Sequence, residues 1–483
     1  MIRWPIIFRF LSYVVYGEAL CLLMPIGLAL SFKDTGLTPL LSSLIAAAGL
    51  GTLLRLFSRR TNDELHHKES LLVVTLTWVT VCLLGAFPFW LSPFFFSFTD
   101  SLFESISGFT TTGATVLESV ESLPPSRQFW RCFSHWVGGM GIILLGIAVL
   151  PLIGIGGIEL YQAEFSGARS EKLTPRIAET AKALWKIYVL FSVLEYSALR
   201  MAGMNRFESI CHTFSTMGTG GFSTRNNSVG AFNSAAIETV IIVFMLLAGI
   251  NFTLHYRLVV RRDIRRFMAD SELRFYLLTV TAATLVVSAS LFFATKSGLQ
   301  EILRQALFQV SSIMTTTGFS NADFELWPHF AQLILLALMF IGGCVGSTGG
   351  GLKSARILLL LKAVGRQLHR IIDRRGVFVV RLSGEALGET ALQGLLNIVY
   401  LAFLVNFAAS LILTACGADI ITSIAAVAAC MFNVGPGLGA IGPSEHYGVL
   451  PQLAKWVLMF CMLAGRLEFY TMIVLFTPTF WRK

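Results

Sequence analysis

Four clusters of small and hydroxylated residues interrupt an otherwise apolar chain. They are Phe109-Thr110-Thr111-Thr112-Gly113-Ala114, Met217-Gly218-Thr219-Gly220-Gly221-Phe222-Ser223, Met314-Thr315-Thr316-Thr317-Gly318-Phe319-Ser320 and Phe432-Asn433-Val434-Gly435-Pro436-Gly437. Their glycines Gly113, Gly221, Gly318 and Gly435 recur about 100 to 120 residues apart, the mark of internal repetition. Thr hydroxyls and carbonyls presented on an extended strand can replace the water shell of a monovalent cation, and Gly at a fixed place permits the backbone geometry that points carbonyls inward. A ring built from Thr110, Thr111, Thr112 and Gly113, from Thr219, Gly220 and Gly221, from Thr315, Thr316, Thr317 and Gly318, and from Asn433, Val434 and Gly435 would hold a dehydrated alkali ion. No Asp or Glu lies within the clusters, which argues against a divalent-cation ring. One T-T-T-G alone reads as ordinary small-residue packing between helices. Four copies in one helical context read as a single device.

The elements that position the clusters follow from composition. Of 483 residues 55% are hydrophobic and 13% charged, with a mean hydropathy of +0.70, whereas soluble proteins carry about a quarter charged residues. This is the composition of an integral membrane protein, and it excludes a soluble enzyme. Ten segments can cross a hydrocarbon core of about 30 Å: roughly 6–31, 38–57, 70–92, 130–157, 185–203, 232–256, 275–295, 329–362, 390–414 and 450–476. Before each cluster lies a stretch too short to span: Phe103-Glu104-Ser105-Ile106-Ser107, Phe207-Glu208-Ser209-Ile210-Cys211, Leu307-Phe308-Gln309-Val310-Ser311-Ser312 and Ala425-Ala426-Val427-Ala428-Ala429-Cys430. Each reads as a re-entrant half-helix followed by an extended loop. Bare backbone at membrane depth is tolerated only where it is buried in protein or lines water, so four such loops imply a central pore. The half-helices run inward, and their negative C-terminal dipole ends favour a cation there.

The fold expected is an all-α membrane protein of four repeats (helix, half-helix, loop, helix) after two extra N-terminal helices. The boundaries are 1–68 for the extra pair, then 69–180, 181–272, 273–383 and 384–483 for the repeats. With the N-terminus cytoplasmic, most of the 37 Lys and Arg, including Arg261, Arg262, Arg265, Arg266, Arg374 and Arg375, fall on the cytoplasmic side, so both termini are placed there. Topology thus accounts for the net charge of +9 without nucleic acid. The basic loops suit lipid headgroups or an acidic partner. The eight Cys are scattered singly in apolar segments, no His pair has metal-ligand spacing, and no nucleophilic triad is legible, so no catalysis is expected.

Two further features sit below the clusters. Gly342, Gly343, Gly346, Gly349, Gly350 and Gly351 fall within ten residues of the longest apolar segment, with Lys353 just after. Each Gly costs about 1 kcal/mol relative to Ala in a helix, so the helix must break there. It is not a phosphate-binding loop, because Leu352 separates Gly351 from Lys353. Arg466 lies inside the last span, where a charge costs at least roughly 2.5 kcal/mol unless it faces water or a partner. It is expected to face the pore; pairing with Glu468 or snorkelling to the cytoplasmic face remain the alternatives.

The quartet, T-T-T-G in the first and third clusters, G-T-G-G-F-S in the second and N-V-G-P-G in the fourth, resembles the Trk/Ktr/HKT superfamily of potassium transporters. The two extra helices resemble the Trk-type bacterial membrane subunit, and the resemblance covers essentially the whole chain. It implies uptake of potassium as the transported ion across a bacterial inner membrane, through a homodimer with one pore per protomer. It also implies gating by a cytosolic nucleotide-binding ring subunit (TrkA-like), an intramembrane gating loop at Gly346, Gly349, Gly350, Gly351 and Lys353, and Arg466 as a pore residue working with that loop. Only a single Gly per loop is shared with the T-V-G-Y-G filter of potassium channels. The rival reading is a secondary cation symporter coupling potassium to proton or sodium flow; repeats that all enter from one side are parallel, unlike the inverted repeats of many such symporters.

Overall fold

Apolar helices with no water around them must satisfy their own backbones, and this chain does so almost entirely with α-helix. The computed structural model describes residues 2–58, 65–148, 173–296 and 298–482. Trp4–Phe32, Leu37–Leu56, His67–Trp90, Ser271–Ala294 and Glu389–Ala415 are unbroken and apolar enough to span. They turn large side chains such as Leu20, Ile45, Leu278 and Phe407 outward, as a lipid-facing surface requires. Among the described residues the β pairing is one short antiparallel ribbon, Arg381–Leu382 with Glu385–Ala386.

Four helix, half-helix, loop, helix units follow the N-terminal pair. The half-helices are Phe98–Phe109, Arg206–Met217, Leu299–Met314 and Ile420–Met431. The three 12-residue ones rise about 18 Å, a little over half the hydrocarbon core. Side-chain caps fix three of their starts: Ser97, Asn205 and Asp419 accept from the backbone N–H of Asp100, Glu208 and Thr422, whereas Gly298 starts the third without one. The Phe-Glu-Ser-Ile likeness of the first two half-helices proves to be one turn out of register. Counted from the half-helix ends, Phe103–Ser107 corresponds to Cys211–Ser215 and not to Phe207–Cys211.

The helix that opens each unit is called outer and the one that closes it inner; the inner helices differ from one another and from the sequence expectation. The first runs from Pro125, not 130, because Ser126 donates from its N–H and hydroxyl to Asp34, both at 2.9 Å, and anchors a polar first turn. It is described to Ala148; residues 149–157 of the expected span lie outside the described residues, as do Arg59, Arg60, Arg169 and Lys172. The next outer helix, Leu173–Met201, begins well before 185 with a polar first half. The expected continuous spans 232–256 and 450–476 are each broken. Ala235–Ala248 meets Phe252–Val259 at 100°, and Gln452–Arg466 meets Tyr470–Phe476 at 114°. At the first break, Asn251 accepts from the Thr253 N–H at 2.8 Å and restarts the helix; at the second, Glu468 and Phe469 take positive φ of 58° and 49°. The third inner helix stops at Ile341 and resumes as Ser354–Ile372, with the glycine-rich stretch between.

Candidate functional site: a ring of four backbone loops

The four loops adopt one backbone from four sequences. In the first, Thr110, Thr111 and Thr112 N–H groups donate to Ile106, Gly108 and Ser107 carbonyls, and the same three bonds recur at Gly218, Thr219 and Gly220, at Thr315, Thr316 and Thr317, and at Phe432, Asn433 and Val434. Positive φ falls at the same two places each time: Thr111 54° and Gly113 80°, Thr219 54° and Gly221 77°, Thr316 57° and Gly318 80°, Asn433 56° and Gly435 98°. Alternating left-handed residues turn successive peptide planes alike, which aligns carbonyls along one side of the strand. Thr111, Thr219 and Thr316 are β-branched and fully buried in this conformation, which costs of order 1–3 kcal/mol each and persists only where the surroundings enforce it.

The surroundings are the neighbouring loops. A Cβ on Gly113 would lie 1.9 Å from the Gly220 carbonyl oxygen, one on Gly221 2.2 Å from that of Thr317, one on Gly318 2.0 Å from that of Val434, and one on Gly435 2.5 Å from that of Thr112. First touches second, second third, third fourth, and fourth first. The loops therefore close a ring in chain order, and each glycine is required twice, by its φ and by the carbonyl against it. All four glycines line one funnel of about 780 Å³, open mouth included, whose walls carry Glu118, Arg225, Asn226, Glu445 and His446.

Side chains brace the ring from behind. Thr110 and Thr112 hydroxyls lie 2.8 Å apart, as do those of Thr315 and Thr317, and Asn433 Nδ2 donates across to Thr112 Oγ1 at 2.9 Å. The Val434 side chain is buried and its carbonyl serves the ring. Tyr447 Oη donates to the Gly435 carbonyl at 2.7 Å. Glu104 accepts from Arg131 at 2.7 Å with both side chains buried, and also from Thr115 Oγ1 and the Val116 N–H. The Arg131 guanidinium in turn lies 4.0 Å over the Phe222 ring, so one ion pair ties the first loop to the second. At the positions equivalent to Glu104, His212 pairs with Ser223 Oγ at 2.9 Å, Gln309 donates to the Ala322 carbonyl at 3.1 Å, and Ala426 makes no such bond. Sequence reasoning missed these tethers; a Glu in the middle of a short apolar half-helix was the signal.

Below the ring lies the glycine-rich stretch. The Gly350 N–H donates to Thr316 Oγ1 at 2.6 Å and the Gly351 N–H to the Phe432 carbonyl at 3.1 Å. A Cβ on Gly350 would come 2.2 Å from that same carbonyl, and one on Gly349 2.9 Å from the Thr315 carbonyl. Gly346 accepts from the Phe252 N–H at 3.0 Å, and Cys344 donates to Gly249 at 2.8 Å, so the stretch also fills the break of the second inner helix. Buried Lys353, at φ 76°, donates from Nζ to the Gly349 carbonyl. Glu272, which the sequence reading passed over, accepts from the Val345 and Ala355 N–H groups at 2.8 and 3.0 Å and pins both ends. Buried Arg466 donates to the Thr348 carbonyl at 2.9 Å and to that of Gly138 at 3.5 Å. Glu468 pairs with Arg356, not with Arg466.

Comparison with known proteins finds relatives over nearly the whole chain. Residues 40–483 match a family model described as TrkH, cation transport protein. The Trk system potassium uptake protein TrkH of Salmonella typhimurium is 42% identical over 467 residues, covering 96% of each chain. The Trk system potassium uptake protein TrkG of Escherichia coli K12 is 36% identical over 98% of this chain and 97% of its own. Among solved structures, the potassium transporter TrkH from Vibrio parahaemolyticus superposes with a TM-score of 0.92 at 38% identity, covering all of both chains.

Proposed function

The chain belongs to the TrkH cation-transport family, and from that premise we propose that the four-loop ring is its potassium selectivity filter and the glycine-rich stretch with Arg466 its gate. The protein is a multi-pass membrane protein that takes up potassium and is not an enzyme. The ion leaves water in the outer funnel and meets Gly113, Gly221, Gly318 and Gly435, then the carbonyls and hydroxyls of Thr110, Thr111 and Thr112, of Thr219 and Gly220, of Thr315, Thr316 and Thr317, and of Asn433 and Val434. The half-helix C-termini stabilise positive charge at that depth. The observation that carries the reading is the ring closure, each glycine seated on the next loop's carbonyl. Beneath the ring, Gly346, Gly349, Gly350, Gly351 and Lys353 occupy the path, and Arg466 holds them through the Thr348 carbonyl while placing positive charge on the cation's route.

The membrane is the bacterial inner membrane, with both termini cytoplasmic. The working form is a homodimer with one pore per protomer, regulated by a cytosolic nucleotide-binding ring subunit. Exposed Arg261, Arg262, Arg265 and Arg266, with Arg374 and Arg375, support docking of an acidic partner or lipid headgroups on that face. Rubidium uptake into proteoliposomes, with potassium, sodium and lithium as competitors and with or without a pH gradient, tests the reading. Potassium should compete best, and the gradient should leave the uptake unchanged. Equal competition by sodium and lithium would refute the filter; uptake that requires a proton or sodium gradient would make the protein a symporter.

A further inference from the structure

The second loop is the odd one in the ring. Where the first and third loops carry Thr110 with Thr112 and Thr315 with Thr317, and the fourth Phe432 with Val434, the second has Gly218 and Gly220. The space those side chains would fill is taken by a residue from outside the loops. A Cβ on Gly220 would lie 2.2 Å from Nδ1 of His135 and 2.3 Å from its Cγ, and a Cβ on Gly218 would lie 2.4 Å from the His135 carbonyl oxygen. His135 comes from the first inner helix, Pro125–Ala148, one turn beyond Arg131. It is fully buried, and its ring stacks on Phe222 at 4.2 Å with 18° between planes. Neither ring nitrogen has a hydrogen-bond partner, and neither has Thr111 Oγ1. At the junction between fourth and first loops, Thr112 Oγ1 is bonded by Asn433 Nδ2. At the corresponding junction between first and second loops, residue 220 has no side chain to bond Thr111, and the imidazole stands against its Cα instead.

We propose that His135 is a specificity-determining positioning residue, an imidazole wedge that fills the place of a side chain at position 220 of the second loop and sets how sharply the ring prefers potassium over sodium. This role holds only if the ring is the filter. Burial without hydrogen bonds makes the wedge a matter of shape, since a well-packed interior resists loss of volume.

The test uses the full chain in proteoliposomes, reading rubidium uptake with potassium and sodium as competitors, with a thermal melt as the check on folding. His135→Ala should lower the potassium-to-sodium preference by about fivefold or more, because the junction can relax. His135→Phe, which keeps the volume and discards the nitrogens, should stay within about twofold of the unmodified protein. Gly220→Thr should abolish uptake or folding by clashing with the imidazole, and His135→Ala combined with Gly220→Thr should recover uptake with potassium preference. Wild-type competition in His135→Ala, or no recovery in the double variant, overturns the proposal. Gly318→Ser run alongside separates the two failures. If it too leaves ion competition unchanged, the filter reading falls; if it alone shifts competition, only the role of His135 falls.

Discussion

The outer loops and the inner helix ends of the four repeats have diverged in opposite ways. On the outer half, T-T-T-G, G-T-G-G, T-T-T-G and F-N-V-G converge on one backbone, with the same bonds and the same positive-φ positions. On the inner half, helices in equivalent places have different backbones: the first continuous to Ala148, the second bent by 100°, the third interrupted at 342–353, the fourth bent by 114°. On the proposed reading the ring chooses between ions of different radius, which requires several ligand groups at matched distances and hence a repetitive, locked ring. Opening a path requires an element with two available arrangements. A ring in which every glycine is wedged on its neighbour's carbonyl offers none; on the proposed reading the second arrangement belongs to the glycine-rich stretch, which hydrogen bonds to Thr316, Phe432 and Arg466 hold in the present one.

The largest expected effect comes from breaking the lock. Replacing Gly113, Gly318 or Gly435 by Ser puts a side chain 1.9 to 2.5 Å from a carbonyl oxygen, at φ values of 80° to 98° where an L-residue is already strained. The neighbouring loop must move, and ligand distances lose their match. Ion competition of rubidium uptake should shift toward sodium by roughly tenfold or more in each variant. Membrane insertion should stay intact because the spans are untouched. Unchanged competition in all three variants would mean that the ring does not select.

A smaller and opposite effect is expected from loosening the inner half. Arg466→Ala removes the donor to Thr348, and deleting part of 346–351 removes backbone from beneath Thr316 and Phe432. Either change should raise basal flux several-fold without any cytosolic partner, while ion preference stays near normal. Reduced flux with intact folding would make these residues part of the conduction path or of the structural core, and the contrast between a locked outer half and a movable inner half would fail.

How much of this could be read from the sequence follows the same divide. The loops were legible because Thr and Gly stand out against apolar helices in the first three and a Gly recurs at similar spacing in all four. The phase of the half-helices was not: Phe-Glu-Ser-Ile appears in two of them, yet a repeated word in a helix does not fix its turn, and the position equivalent to Glu104 in the second is His212. The third inner helix announced its break with six glycines. The second and fourth did not, since Gly249 and Gly465 are isolated glycines in apolar runs, and the contacts made at the breaks are distant in sequence. Gly249, for example, accepts from Cys344. Tethers were hidden for the same reason. Glu104 and Arg131 are 27 positions apart and Glu272 and Val345 73, and nothing local pairs them.

The smallest effect sharpens the comparison by testing its unbroken member, the first inner helix, Pro125–Ala148. Gly138, Gly139 and Gly141 lie within one turn of it, and they are not alike. A Cβ on Gly138 would sit 1.9 Å from the Phe109 carbonyl oxygen and one on Gly139 2.7 Å from Gly218 Cα, so both are glycine because the helix leans on the first and second loops. A Cβ on Gly141 would meet only Trp78, at 3.7 and 3.9 Å, which is ordinary contact, and its φ is helical. Here glycine serves no close approach, and its remaining use would be to let the helix bend. If this helix is a fixed post while the other three are broken, Gly141→Ala should stabilise the protein by about 1 kcal/mol or less through helix propensity, seen as a small rise in melting temperature. Uptake rate and ion competition should remain at their original values. A change in basal flux with unaltered ion preference would show that the first inner helix flexes in gating, and the inner half would then move through all four repeats.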